Sequence, residues 1–251
     1  FCLGAFGAIP GIILQCCVKD RGIPDHDLSA SDQTNNPVKL VFGRSHRRAL
    51  FSCMLVTSFL IGTFYLNFVW LPIFMTSLLE TPIPYAFATN SLAVLVFLLL
   101  APPIGMLSDC CGERKIMLVG MAGMTVLGPV AIYVISMANP VGANLAQICL
   151  AVTMCFGLAP LYAFTAKSFP SMVRLTGAGL GINISSPLAG GTLPTVATYL
   201  VDKHGIHIPG YIFTAISIIG IFGLCIAPKF DDGVYDVETI NGVGDEDVTI
   251  L

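Results

Sequence analysis

The sequence predicts an all-α, polytopic bundle of transmembrane helices, and three observations carry that prediction. Of its 251 residues, 55% are hydrophobic and only 11% are charged, with a mean hydropathy of +0.83, whereas an average soluble domain is roughly 25% charged. The apolar residues gather into runs of the ~20 residues that a helix needs to cross about 30 Å of hydrocarbon. All twelve Lys and Arg can be placed outside those runs.

Taken in order, the first run is Phe1 to Cys17, close to the lower length limit for a span and without an initiating Met or a flanking charge on its outer side. It lacks the basic n-region and small-residue cleavage site of a signal peptide, so residues 1–17 are expected to be the end of a truncated transmembrane helix. The preceding, N-terminal half of the same chain is then expected to lie outside this sequence. Residues 18–48 hold Lys19, Arg21, Lys39, Arg44, Arg47 and Arg48 and turn signals at Ile23-Pro24 and Asn36-Pro37, the pattern of a flexible cytoplasmic loop between two bundles. Six complete spans follow within 49–227: Ala49–Leu71, Tyr85–Leu107, Ile116–Met137, Val141–Ala166, Leu175–Val201 and Ile208–Ala227. The remaining residues, 228–251, include Asp231, Asp232, Asp236, Glu238, Asp245, Glu246 and Asp247 and read as a solvated acidic cytoplasmic tail.

Orientation follows from the basic residues. Arg114 and Lys115 in the turn after the second complete span, Lys167 and Arg174 after the fourth, and Lys229 in the tail fall on the same side as the loop 18–48, leaving only Lys203 on the other. Cytoplasmic loops carry such an excess. The loop and the C-terminus are therefore expected in the cytoplasm.

Several chemistries are excluded. Neither the mixed-sign loop nor the acidic tail has the basic surface that nucleic acid requires. Of the nine cysteines, Cys2, Cys53, Cys149, Cys155 and Cys225 lie in apolar runs, where cysteine acts as a small hydrophobe. The pairs Cys16-Cys17 and Cys110-Cys111 lack metal-ligand spacing and are read either as packing or as sites of reversible palmitoylation. His204 and His207 stand as H-x-x-H in an outer loop without a thiol or acidic companion beyond Asp202, so no metal and no cofactor are expected. An intramembrane enzyme needs a nucleophile with its base, or a metal cluster, inside the bilayer. The spans contain neither, and the chain is expected not to be an enzyme.

The most specific stretch is Gly105-Met-Leu-Ser-Asp109-Cys-Cys-Gly112-Glu113-Arg114-Lys115, a charged turn so short that it forces its two spans to be antiparallel neighbours. A second runs from Ala166-Lys167-Ser-Phe169-Pro170 through Arg174-Leu-Thr176-Gly177 to Asn183-Ile-Ser185. The first resembles G-x-x-x-D-[RK]-x-G-[RK]-[RK] of the major facilitator superfamily, and the second resembles the F-P-x-x-x-R-x-[ST]-[GA] run of its metabolite:proton symporter branch, which includes proline/betaine permeases. Three positions depart: Cys110 and Glu113 stand where bases are usual, and Lys167 where an acid is usual.

The resemblance implies the C-terminal six-helix half of a twelve-helix fold, plus part of the preceding helix, in a multi-pass protein of the plasma membrane. It implies a secondary active transporter working by alternating access, moving an organic acid, amino acid or betaine with protons. A sugar-type facilitator of the same superfamily and a non-transporting membrane sensor remain the alternatives. The partners implied are the lipid bilayer, the missing N-terminal half, a small-molecule solute and protons. The resemblance also implies a cytoplasmic gate made of Asp109, Glu113, Arg114, Lys167 and Arg174, in which Glu113 and Lys167 form an ion pair of reversed polarity.

Uncharged polar residues inside the spans are the candidates for a solute cavity, since polar atoms facing lipid are costly. They are Tyr65, Asn67, Asn90, Tyr162, Asn183, Ser185 and Thr192, with hydrogen bonding between helices as the other reading of each. Tyr65, Asn67, Asn183 and Thr192 are expected to face the cavity. Trp70 reads as an anchor at the membrane interface. Gly177, Gly179, Gly181, Gly190 and Gly191 on one span read as close helix packing. No Asp, Glu, Lys, Arg or His lies deep in a complete span, so a proton-carrying group is expected elsewhere.

The basic asymmetry predicts a labelling pattern. Single cysteines introduced at Thr81, Gly142 and Gly205 should react with an impermeant maleimide from outside intact cells, and those at Ser31, Gly112 and Ser171 only after the cells are opened. Outside labelling at Gly112 would overturn the span order.

Overall fold

A computed structural model describes residues 37–170 and 173–228, and among them all regular structure is helical. The expected helix end 1–17, most of the expected loop 18–48 and the expected tail beyond Pro228 lie outside the described residues. Within the expected loop, α1 (Pro37–Phe42) is already helical, and α2 (Arg44–Phe64) starts five residues before the predicted span because its basic first turn extends the helix past the apolar run.

The first span is longer than its apolar run indicates. From α2 the chain passes through a π-helical segment π1 (Tyr65–Trp70), one α-turn (Leu71–Ile73) and a second π segment π2 (Phe74–Leu78). It is one continuous helix from Arg47 to Leu78. The predicted span stops at Leu71, directly before Pro72. Proline lacks an N–H and crowds the preceding turn, but the wider π turns on either side accommodate it, and the Thr76 hydroxyl donates to the Pro72 carbonyl at 2.9 Å.

The next three spans are α3 (Ala86–Cys111), α4 (Glu113–Ser136) and α5 (Pro140–Leu158), the last continued by α6 (Leu161–Lys167) beyond a break at Pro160. Gly112 alone separates α3 from α4 at φ 93°, a conformation open to glycine and costly for residues with a Cβ. Asn139 caps α5, its side chain accepting from Val141 N at 3.1 Å, with Pro140 in the first turn. The final span is α9 (Ile208–Ile226).

Between α6 and α9 lies the least apolar of the predicted spans. It is helical throughout, as α7 (Arg174–Ser185), π3 (Ser186–Gly191) and α8 (Thr192–His204), and long enough to exceed ~30 Å. Five helices among the described residues are both long and apolar enough to cross a membrane, and this one is not counted with them. Its glycines, prolines and hydroxyls dilute the apolar side chains. One stripe of it, including Gly177, Gly181, Ser185, Ala189, Ala197 and Val201, is buried, while Asn183, Pro187, Gly191, Thr192, Thr195 and Tyr199 are exposed.

Helix α2 packs against α9, α7 and π3, α4 packs against α5 and α9, and α3 packs along α5. The shared core includes Phe59, Leu60, Met117, Met121, Met124 and Phe213. Lipid supplies little hydrophobic drive between helices, so close van der Waals approach takes over. A Cβ on Gly120 would lie 2.6 Å from the backbone nitrogen of Gly157, which means that α4 and α5 touch backbone to backbone. Gly120→Ala should lower stability by about 1–3 kcal/mol, read as a lower midpoint of thermal unfolding in detergent. Gly179→Ala, with nothing within 4 Å of its new methyl, should leave that midpoint in place.

Candidate functional site

At the basic end of the bundle, the sequence that makes the shortest turn also makes its cross-links. Because Gly112 reverses the chain in one residue, Glu113 and Arg114 enter the first turn of α4 beside the ends of other helices. Glu113 Oε1 pairs with Lys167 Nζ at the end of α6. Two of the three departures from the family pattern thus meet. The Lys167 side chain is 52% exposed and that of Glu113 15%, so solvent and salt screen the pair and keep it weak.

Arg114 turns elsewhere. Its guanidinium donates to the carbonyls of Ala227, at 3.1 Å, and Pro228, and lies 5.9 Å from the centre of the Phe164 ring. Arg48 Nε donates to the Ile226 carbonyl at 2.8 Å. Two arginines from α2 and α4 therefore cap the C-terminal end of α9, where unpaired carbonyls and the helix dipole favour cations. Arg174 Nε reaches Phe169 O at 3.3 Å, close to it in sequence. Asp109 is exposed, and no hydrogen bond or ion pair of its side chain occurs among the described residues. Of the expected five-residue network, Glu113 and Lys167 form an ion pair and Arg114 a helix cap.

The cavity candidates divide as well. Tyr65 is 38% exposed at the start of π1, and its ring packs where Gly190 of π3 has no side chain, since a Cβ there would lie 2.8 Å from Tyr65 Cε2. Asn183 and Thr192 are exposed, each bonded to its own helix, through Asn183 Nδ2 to Gly179 O at 2.8 Å and Thr192 Oγ1 to Leu188 O. Tyr162 is 70% exposed on α6. Ser185 is buried and joins α7 to α2, donating to Met54 O at 2.9 Å.

Asn67 points the other way. It is fully buried inside the bundle, and neither its Nδ2 nor its Oδ1 has a hydrogen-bond partner. Beside it, Gln147 Nε2 donates to Asn67 O at 3.2 Å and to Asn90 Oδ1 at 2.8 Å, and Asn90 Nδ2 donates to Phe68 O at 3.1 Å. The three amides form one cluster between π1, α3 and α5, with Asn67 and Gln147 fully buried and Asn90 partly so. Gln147 was not among the sequence candidates, although it is the only Gln in the six complete spans. It carries the same signal as Asn67 and Asn90, an uncharged amide inside an apolar span.

Trp70 corrects an expectation. It is buried, donates from Nε1 to Thr198 Oγ1 at 2.9 Å, and stacks on Phe74 with ring centroids 4.9 Å apart. It ties π1 to α8 rather than anchoring at an interface. A π turn changes how side chains are directed relative to an α-helical count, which is why a reading by depth misplaced it.

The sequence pattern of the Major Facilitator Superfamily matches residues 53–234. A protein of Staphylococcus aureus named "Putative proline/betaine transporter" is 26% identical over 221 residues, covering 88% of this chain and 47% of its own length. One of the same name from Staphylococcus haemolyticus is 28% identical over 232 residues, covering 90% and 48%. The "Proline/betaine transporter" of Salmonella typhimurium is 25% identical over 178 residues, covering 70% and 35%. The chain spans about half the length, or less, of the curated relatives it matches.

Reversal of each charge, Glu113→Lys and Lys167→Glu, tests the ion pair. Each single change should lower the thermal midpoint and the double change should restore it, with a coupling of about 0–1 kcal/mol that shrinks as salt is added. Equal losses that simply add would show that the contact contributes nothing.

Proposed function

This chain belongs to the Major Facilitator Superfamily, and from that premise we propose that it forms half of a carrier that moves a small organic solute by alternating access, coupled to protons. The solute class is an amino acid, betaine or organic acid, in keeping with the names of the relatives. The observation that carries this reading is the open polar face of the helix from Arg174 to His204. Asn183, Thr192 and Thr195 lie exposed along it, and exposed Tyr65 packs against Gly190 of the same helix. Polar groups on a membrane helix turn toward protein or a water-filled cavity rather than lipid. A second bundle closing over that face would enclose a solute between the two.

In this reading Glu113–Lys167 acts as a latch. A pair worth about 0–1 kcal/mol can hold one conformation and release it within a transport cycle. The cap of Arg48 and Arg114 on α9 keeps the bundle together while the latch opens. Proton coupling calls on a titrating group outside the depths of these spans, because they contain none.

Uptake of labelled proline and glycine betaine by cells making the full-length protein tests the proposal. Uptake should exceed that of cells without it and collapse with a protonophore. Asn183→Ala should weaken apparent solute affinity by about tenfold, the worth of one hydrogen bond to a charged solute. Uptake indifferent to the protonophore would replace symport with facilitation, and no uptake of either solute would remove this solute class.

A further inference from the structure

Asn67, Asn90 and Gln147 lie on three helices, near the ends of those helices away from Arg48 and Arg114. Asn90 is in the second turn of α3, Gln147 in the second to third turn of α5, and Asn67 in π1. Their bonding does not balance. Gln147 Nε2 serves two acceptors and Asn90 Nδ2 a third, yet Asn67 Oδ1 and Gln147 Oε1 accept nothing, with Asn67 Nδ2 as the one orphan nitrogen. Buried polar atoms in native proteins almost always have a partner. Here the unused groups are mainly oxygens, shut away from solvent.

The surroundings narrow what can meet them. The carbonyls of Asn67 and Phe68 already face α3 and α5, since they accept from Gln147 and Asn90, and Asn90 Oδ1 keeps a second lone pair. Side-chain amides of three helices and two backbone carbonyls of π1 are thus joined in one hydrogen-bonded cluster. No Lys, Arg or His lies in π1, in the first three turns of α3 or in the first three turns of α5 to oppose a positive charge. No Asp or Glu lies there to neutralise a divalent ion. Neutral cages of carbonyl oxygen suit monovalent cations, replacing their hydration shell, and irregular helix inside membrane carriers offers such oxygens. Thr89, beside Asn90, donates from Oγ1 at 2.5 Å to Oδ1 of Asn144, about one turn before Gln147, a polar step between the end of the bundle and the cluster.

The geometry points to a binding site for one alkali-metal cation, with Asn67 Oδ1, Gln147 Oε1 and Asn90 Oδ1 as its side-chain ligands. It stands apart from the exposed face assigned to the solute and needs no assumption about what that solute is. The test therefore reads binding rather than transport. Purified full-length protein in detergent is unfolded thermally in NaCl, KCl or choline chloride at equal ionic strength. At least one alkali chloride should raise the midpoint by about 2–4 °C over choline, with saturation as its concentration rises, and the better of the two identifies the ion. Asn67→Leu and Gln147→Leu should each abolish the increment, and Ser91→Ala, on the exposed side of α3, should retain it. Equal midpoints in all three salts would assign the orphan oxygens to water and overturn the site. An increment that survives both leucine substitutions would place the cation elsewhere and overturn it equally. The wild-type comparison decides the matter even if a leucine variant fails to fold.

Discussion

In hydrocarbon a polar backbone group has no water to turn to, so each N–H and C=O must find its partner within the protein. The rest of this structure depends on that constraint. It makes every described span helical, and it governs how the chain handles its interruptions. Pro72 lies between two π segments, Pro187 lies inside a third, and Pro160 marks a break between two helices. Hydroxyls follow the same rule. Thr63, Thr125, Thr153, Ser168 and Ser217 all donate to the carbonyl four residues before them. The polar residues of these helices mostly complete their own backbone before they can serve a ligand.

Once the helices are self-sufficient, what holds them together is proximity. The absence of a side chain at Gly223 lets α9 approach α2, where a Cβ would meet Leu55 Cβ at 2.6 Å and Ser52 O at 3.3 Å. Ser52 uses the same approach to donate to Gly223 O at 2.7 Å. Close packing and interhelical hydrogen bonding are here one contact, since the small residue that admits the backbone also exposes the carbonyl. Thr214 does the same between α9 and α4, donating to Thr125 O at 3.0 Å.

The division between what the sequence disclosed and what it concealed follows from which physical quantity each feature depends on. Length and hydropathy depend on composition alone, and five spans emerged near their predicted places. The meeting of Glu113 and Lys167 was legible because two exchanged charges in a known pattern imply each other without any knowledge of side-chain direction. Direction is what the sequence withheld. Tyr65, Asn67 and Trp70 were judged by polarity and depth, but they occupy a π segment, in which the angular step between residues departs from that of an α-helix. One places its ring at an exposed surface, one is enclosed within the bundle, and one bonds to α8. The partners of Arg114 were hidden for another reason. They are the carbonyls of Ala227 and Pro228, and backbone acceptors leave no signature in the residue types of the helix they end.

The two ends of the bundle consequently differ in kind. At the basic end, Glu113 and Arg114 are adjacent in sequence yet bind different helices, so the start of α4 links α6 by charge and α9 by capping. The charged link is partly open to solvent and is weakened by salt, whereas the cap satisfies carbonyls that would otherwise lack partners. Breaking the first therefore costs much less than breaking the second. At the other end the links are neutral amides largely inside the bundle, where separation leaves buried donors and acceptors unsatisfied at about 1–3 kcal/mol each. Loss of the Glu113–Lys167 pair alone is thus inexpensive, while parting α5 from π1 at Gln147 is not. The charged end is thus joined by a solvent-screened pair, and the neutral end by amides that tie α3, α5 and π1 to one another.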